Sequence, residues 1–376
     1  MKRASFMLVV GLMVLVTSGH GALVAPQSLL DLSQGADLIV VGTLTGVSQT
    51  GTAVTALLQV NRVLKGSPEL SGSMVSAGWT SGSPQVGTDI PASATAGLWF
   101  LQGSPNGWTV LPAFGGNIPF SLTYFPVPPG PALSAYSYNP SAAVPDKIAA
   151  ELCSAIESTN VYSSIQQDSL ERGGLDVLAS PYTALLYQRL AVSVSVPQQI
   201  IGLSGLIRQG DTPALSAAIL GESAGFLSAS RENGILLLSI RGHFRSADLS
   251  AIGLLGQAAA DETGPTAFRE AAAHALAAIH TSAALPYLAA LFGDEDMDLR
   301  VEAIGGVGAF VNGLPIQTLT GTPSLAHLQF PESAQFMTAD TQAHFAFGAQ
   351  AIGQNETAYL SFWEQWWAEN RAALGF

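Results

Sequence analysis

Between residues 268 and 312 the apolar side chains recur with the period of an α-helix. Three successive stripes have spacings of three or four residues, which place each stripe on one helix face. The stripes are Phe268, Ala272, Ala275, Leu276 and Ile279; then Leu285, Leu288, Ala289 and Phe292; then Ile304, Val307, Gly308 and Val311. Because the links between the stripes are short, neighbouring helices are expected to pack antiparallel.

The first third of the chain has a different pattern, in which short runs rich in β-branched residues are separated by Gly and Pro. In the run 52–64, alternate residues are apolar and would lie on one face of a strand. A short helix is predicted at 27–36, followed by strands at 36–47, 52–64, 71–79, 97–102, 107–114 and 119–125. Five or six short strands without a long helix predict a small β-barrel or sandwich.

A proline-rich segment at 126–145 separates these two patterns, and its prolines favour an extended, semi-rigid spacer. Helical patterns then continue to the C-terminus, with helices expected at 146–158, 169–192, 197–208, 341–352 and 358–374. Three or four degenerate helical hairpins are expected between about 180 and 312. The segment 313–339 is long for a link between hairpins and suggests a binding or covering loop.

The N-terminus has the pattern of a secretory signal peptide. Lys2 and Arg3 precede an apolar run at 4–17, and small residues follow it, so cleavage is expected between Gly19 and Ala25. The run is too short to span a bilayer, which takes about 20 residues. No cysteine follows it, which excludes a bacterial lipid anchor. The protein is therefore predicted to be exported to the periplasm or the extracellular space, without membrane insertion after cleavage.

The helical half resembles the short HEAT repeats of phycobilin-lyase-like proteins. The resemblance rests on Arg269 and Ala271–Ala272, on Ala284-Leu285-Pro286-x-Leu288, on Asp294-x-Asp296 and on Arg300-x-x-Ala303. It implies that Asp and Arg side chains of successive repeats pair along the stack. Gly305, Gly306 and Gly308 depart from the pattern, because glycine inside a helix costs roughly 1 kcal/mol relative to alanine. Either the helices pack very closely there or the third helix is irregular.

The first half resembles the netrin-like OB barrel of the tissue inhibitors of metalloproteinases. The residues that carry this resemblance are 36–42, then Val60-x-x-Val63-Leu64-Lys65-Gly66, then 97–101. Those inhibitors use an N-terminal cysteine and carry disulfides, whereas this chain has neither, so that mechanism of inhibition is not transferred. The predicted domains are a signal peptide at 1–25, an OB-like barrel at 26–126, a linker at 127–145 and a HEAT-like α-solenoid at 146–376.

Composition restricts the classes of partner. The net charge of −13 over 376 residues argues against nucleic acid and anionic membranes. The single cysteine, Cys153, excludes an intramolecular disulfide and a cysteine-based metal site, and it is expected to be a buried, inert thiol. We expect a protein or peptide partner of unknown identity.

Two groups of residues are candidate binding sites. Trp363, Trp366 and Trp367 recur at helical spacing near the C-terminus, and either they seal the end of the solenoid or they form an exposed platform for glycans or peptides. This ending resembles that of exported HEAT-repeat proteins of soil bacteria, a group without known activity. Arg241 and His243 form either a small anion-binding patch or a solvated turn.

Other polar residues favour structural roles. The acidic turn at 294–298 lacks the glycine and closing glutamate of a calcium loop, so helix capping is favoured there. His274 and His280 are six residues apart, which disfavours a shared metal ion. The sequence Asn355-Glu356-Thr357 fits a glycosylation acceptor, although helix capping explains it as well. Common hydrolase, metalloprotease and phosphate-loop motifs do not occur, so we assign no catalytic residue, metal or cofactor.

The sequence therefore favours a non-enzymatic exported protein that binds a protein or peptide on the solenoid surface. One alternative is protease inhibition through the barrel, which rests on fold-level analogy. Another alternative is a lyase-like enzyme with a diffuse site in the solenoid.

Overall fold

The computed structural model describes residues 28–80, 96–105, 107–111, 124–159, 174–220, 233–241, 249–314, 336–345 and 352–376. The predicted signal peptide and most of the segment 313–339 lie outside these residues. The chain divides into two compact units, Met1–Thr183 and Ala184–Phe376. A β-barrel followed by helices confirms the predicted multidomain fold class.

The first unit contains six strands in its described part: β1 Leu38–Thr50, β2 Ala53–Lys65, β3 Met74–Thr80, β4 Ala96–Ser104, β5 Gly107–Val110 and β6 Tyr124–Pro126. The first five close into a barrel in the order β1-β2-β3-β5-β4-β1, with β3 and β5 parallel and the other pairs antiparallel. Strand β6 is added beside β4. A closed five-stranded barrel is the arrangement expected for an OB-like domain.

The interior of the barrel is filled by the alternating apolar residues of its strands, as the two-residue period requires. The buried cluster comprises Leu38, Val40, Leu44, Ala56, Leu58, Val60, Val75, Ala77, Trp99, Leu101 and Val110. Strands β1 and β2 approach each other closely at Gly42, where an added Cβ would lie 2.9 Å from Cγ of Leu58. The indole nitrogen of Trp99 is satisfied in this core, because it donates to the Gly42 carbonyl at 3.0 Å.

A short helix is attached to the barrel. Helix α1, Leu29–Gly35, begins at a capping box between Ser28 and Asp31. Lys65 Nζ donates to the carbonyl of Ser33 near the end of this helix, at 3.0 Å. Gly66 follows with φ of 108°, a left-handed conformation that suits glycine and turns the chain after β2.

Residues 127–145 are packed within the first unit. The side chain of Tyr136 is fully buried, and its hydroxyl donates to Glu157 at 2.5 Å. The backbone N–H of Leu133 donates to Ser154 Oγ at 2.7 Å. Both acceptors lie on helix α2, Val144–Thr159, which also buries Cys153 as predicted. The expected spacer is thus a packed segment, because its tyrosines and backbone groups find partners on α2.

Ten further helices occur among the described residues. They are α3 Pro181–Ala191, α4 Val196–Arg208, α5 Thr212–Leu220, α6 Gly234–Arg241, α7 Leu249–Ala260, α8 Thr266–Ile279, α9 Leu285–Ala290, α10 Met297–Val311, α11 Ala339–Ala343 and α12 Glu356–Asn370. The predicted helices at 169–192 and 341–352 extend into ranges outside the described residues. No described helix has the length and apolar character needed to cross a membrane.

The helices of the second unit pack in serial order as two rows. One row is formed by α4, α6, α8, α10 and α12, in which each helix contacts the next. The other row is formed by α5, α7 and α9, and contacts such as α4 with α5 and α8 with α9 join the two rows. Nearest-neighbour packing of this kind is characteristic of repeat architectures.

Small residues allow these helices to approach each other. An added Cβ at Gly306 of α10 would lie 2.7 Å from Cβ of Ala277 on α8. At Gly308 an added Cβ would lie 3.2 Å from the Trp363 ring of α12. Helix α10 is continuous through both glycines. Close packing therefore explains Gly306 and Gly308, whereas an added Cβ at Gly305 would meet no atom within 4 Å.

Candidate functional site

Arginine–carboxylate contacts connect neighbouring helices along the second unit. Arg269 on α8 pairs with the Asp294 carboxylate at the turn before α10, and both side chains are about nine-tenths buried. The Nε atom of Arg269 also donates to the Ala259 carbonyl at 3.0 Å, which ties α8 to the end of α7. A single buried guanidinium thus joins α7, α8 and the turn before α10, and the expected pairing of Arg with Asp is present here.

Arg300 holds the corresponding position on α10. Its Nη1 atom donates to the Asp294 carbonyl at 2.7 Å, and its Nε atom donates to Glu356 Oε1 of α12 at 2.6 Å. The hydrogen bond to Glu356 raises the pKa of Arg300, and a hydrogen bond from a charged guanidinium is stronger than one between neutral groups. Asp294 is shared by Arg269 and Arg300, and the contacts therefore continue from α8 to α12.

A second set of polar contacts lies along the row formed by α6, α8 and α10. Arg241 Nη2 is 3.4 Å from Glu270 Oε2, and His274 Nδ1 is 3.1 Å from Glu302 Oε2. Single carboxylate oxygens of Glu270, Asp296 and Asp298 all lie within 4.8 Å of one another. The polar row thus consists of Arg241, Glu270, His274, Asp296, Asp298 and Glu302. It is mostly half-buried, so its charges are partly shielded from water.

Negative charge accumulates at the centre of the polar row. Burial raises the pKa of Glu270, and the charge of Asp298 raises it further, while Arg241 opposes both effects. Asp296 caps α10 by accepting from the backbone N–H of Asp298 at 2.8 Å. These carboxylates have the oxygen donors that hard cations and basic side chains prefer.

The C-terminal tryptophans are mainly inside the second unit. Trp363 is fully buried and donates from Nε1 to the His344 carbonyl at 3.0 Å. Trp366 is 7% exposed and meets Phe336 edge to face. Neither ring is accessible for ligand stacking, because both are buried among other residues of the second unit. Trp367 is half-buried and contacts Phe376 with ring centroids 5.9 Å apart.

The proposed Arg241–His243 patch is described only in part. Arg241 ends α6 and makes the contact to Glu270 described above. His243 lies outside the described residues.

His274 and His280 lie in different surroundings. The His274 ring contacts Glu302, whereas the centroid of the His280 ring lies 5.3 Å from the centroid of the Phe310 ring. Burial lowers the pKa of His280 to about 4, so this imidazole is neutral near pH 7.

Sequence reasoning missed most of the polar row. Glu270 and His274 are four residues apart on α8, and Asp298 and Glu302 are four residues apart on α10. Each pair therefore lies on one helix face, and the two faces meet because α8 and α10 are neighbours in the same row.

Comparison with known proteins leaves the chain without an assigned family. No protein-family model matches it, and no curated protein matches it. The class of protein is therefore defined by the fold alone, as a β-barrel followed by a serial stack of helices.

Proposed function

We propose that this chain is a non-enzymatic exported protein whose helical unit binds a protein or peptide. The serial packing of its helices into two rows is the observation that carries the proposal. Such a stack presents an extended surface built from equivalent positions of successive helices, which suits a long and irregular ligand.

The arginine contacts support short HEAT-like repeats as the basis of this stack. Arg269 and Arg300 are each the fourth residue of their helix, α8 and α10, and each donates to a carboxylate further along the chain, Asp294 before α10 and Glu356 on α12. Such contacts fix the register of neighbouring helices and keep their exposed faces aligned. The polar row lies on helices held in this way, and we propose it as the part of the surface that contacts the partner.

Selection of displayed peptides against the immobilised full chain tests the proposal. We expect an enriched peptide with a Kd on the order of 1 µM or tighter. The double substitution Glu270→Gln and Glu302→Gln should weaken its binding by about tenfold or more, since it removes two charges from the polar row. Glu262→Gln and Glu364→Gln alter exposed carboxylates elsewhere and serve as matched controls.

Two results would contradict this proposal. Failure to enrich any peptide under conditions that succeed with an established repeat protein would remove its basis. Equal weakening by the controls and by the polar-row variant would show that the binding is nonspecific charge attraction.

The barrel supports a second candidate function, protease inhibition. Its closed strand order, with β3 parallel to β5, agrees with the netrin-like OB resemblance at the level of fold. The test is titration of the full chain against a panel of metalloproteases with a fluorogenic substrate. Stoichiometric loss of activity would favour inhibition, and unchanged activity at a large molar excess would end this alternative.

A lyase-like activity is the third candidate, and the pairing of His274 with Glu302 beside Glu270 favours it. An imidazole–carboxylate pair has the groups needed for proton transfer. Incubation of the full chain with bilin and lipid substrates, compared with His274→Ala, would test this idea. Equal turnover by the two proteins would exclude a role for the polar row in catalysis.

A further inference from the structure

The residues Asn355, Glu356 and Thr357 fit the Asn-x-Ser/Thr pattern of acceptors for N-linked glycans. They also lie at the start of α12, where an asparagine side chain commonly caps the helix. The structure distinguishes these explanations. Asn355 occupies the N-cap position, but its side chain makes no capping hydrogen bond. Helix capping therefore does not account for the asparagine at this position.

The surroundings of this motif leave its reactive groups accessible. Asn355 and Thr357 are both exposed, whereas Glu356 between them is half-buried. The Glu356 carboxylate accepts from Arg300 Nε at 2.6 Å, which anchors the first turn of α12 to α10. A group attached to the Asn355 amide would extend into solvent without breaking a hydrogen bond of the fold.

We propose that Asn355 is an acceptor for an N-linked oligosaccharide. The proposal rests on the export proposed above, because the donor is a sugar carried on a polyprenyl diphosphate at the export membrane. The Nδ2 atom of Asn355 forms a bond to the anomeric carbon of this sugar. The bond between that carbon and the diphosphate oxygen breaks, the diphosphate leaves with the electron pair, and the amide nitrogen loses one proton to a base.

The first unit contains a similar tripeptide, Asn139-Pro140-Ser141, with which the Asn355 motif can be compared. Asn139 is also exposed and is followed two residues later by Ser141, but Pro140 stands between them. Proline at the middle position excludes acceptor function. The Asn139 Oδ1 atom accepts from the backbone N–H of Ser141 at 2.9 Å and from its hydroxyl at 2.8 Å, so these bonds do not use the Nδ2 atom that a glycan would join. Because of Pro140, Asn139 should remain unmodified, whereas Pro140→Ala should make it an acceptor.

The test is expression of the full chain in a eukaryotic secretory host, followed by peptide mass spectrometry of the secreted protein. We expect a glycan on the peptide that contains Asn355, and removal by a glycan-cleaving amidase should convert this residue to aspartate. Asn355→Gln and Thr357→Val should abolish the modification, while Thr357→Ser should retain it. The Pro140→Ala variant shows whether the host modifies other exposed acceptors of this chain.

The outcomes separate this inference from the proposed export. Secreted protein without a glycan at Asn355 overturns the acceptor assignment, most clearly when Pro140→Ala is modified at Asn139. Retention of the chain inside the cell contradicts export instead. In that case a host signal sequence replaces residues 1–25, and secretion of this protein without the glycan again overturns the assignment.

Discussion

Arg62 on β2 and Glu151 on α2 form a two-point ion pair in the first unit. The Nε and Nη2 atoms of Arg62 each donate to a different oxygen of Glu151 at 2.7 Å. Glu151 is 1% exposed, and it also accepts from the Tyr138 hydroxyl at 2.6 Å. Arg62 Nη1 donates to the Pro129 carbonyl at 2.9 Å. One guanidinium thus joins the barrel, the proline-rich segment and α2.

Glu151→Gln should destabilise the first unit. The substitution keeps the shape of the side chain but removes its charge, so the partly buried guanidinium of Arg62 loses its counterion. We expect the free energy of unfolding to fall by about 2–4 kcal/mol. Urea unfolding followed by circular dichroism measures this change. Glu69→Gln, at an exposed carboxylate of the same unit, should stay within about 0.5 kcal/mol of wild type. Equal stability of the two variants would refute the expectation.

Arg269→Met should destabilise the second unit. The variant leaves the Asp294 carboxylate without its buried partner and leaves the Ala259 carbonyl without its donor. We expect a loss of about 2–4 kcal/mol in unfolding free energy. Arg371→Met changes an exposed arginine after α12 and should have little effect. Adding Asp294→Asn to Arg269→Met should cost less than the sum of the single effects, and strict additivity would show that the pair is not coupled.

Gly305 and Gly306 are neighbours on α10 with opposite expected responses to alanine. An added Cβ at Gly305 meets no atom within 4 Å, so Gly305→Ala should stabilise the protein by up to about 1 kcal/mol through helix propensity. At Gly306 the added Cβ would lie 2.7 Å from Cβ of Ala277, so Gly306→Ala should destabilise by about 1–3 kcal/mol. Thermal unfolding of both variants provides the measurement. Shifts of the same sign would contradict the close approach of α8 and α10.

His280 should make the stability of the second unit depend on pH. Burial lowers its pKa from 6.5 to about 4. Between these values the unfolded chain binds a proton that the folded chain does not bind. The contribution of His280 to the free energy of unfolding should therefore be fully present well above pH 6.5, and up to about 3 kcal/mol of it should be lost as the pH falls to about 4.

His280→Asn isolates this contribution. His280 has φ of 53°, a left-handed conformation that asparagine also tolerates. The variant should lose the His280 part of the acid destabilisation, while other titrating groups keep theirs. Urea unfolding at a series of pH values from 7 to 4 gives the two profiles. Parallel profiles for wild type and variant would show that His280 does not cause the effect.

The fold class could be predicted from the sequence because both units have local patterns of clear period. Alternation in 52–64 predicted β2, and the stripe that begins at Phe268 predicted α8. Closure of the barrel could not be predicted in this way, since it depends on Leu38 of β1 meeting Leu101 of β4. No local pattern specifies such a distant pairing.

The packing of residues 127–145 was also beyond local reasoning. The prolines indicated an extended spacer, but a carbonyl of this segment accepts from Arg62, which lies more than sixty residues earlier.

The polar row was missed for a related reason. Glu270 and Asp298 belong to different helices, and their proximity depends on how α8 and α10 align. Trp363 was ambiguous in the sequence because a tryptophan at helical spacing fits both a buried end and an exposed platform.

The pairing of β1 with β4 also has a kinetic consequence. Until residue 101 has been synthesised, β1 has only β2 beside it, and its other edge lacks the hydrogen-bonding partner that closes the barrel. An incomplete chain thus exposes a long apolar strand edge that favours aggregation. Contacts of such sequence separation also form slowly. A nascent chain shorter than this length should therefore be a good substrate for chaperones that keep polypeptides extended.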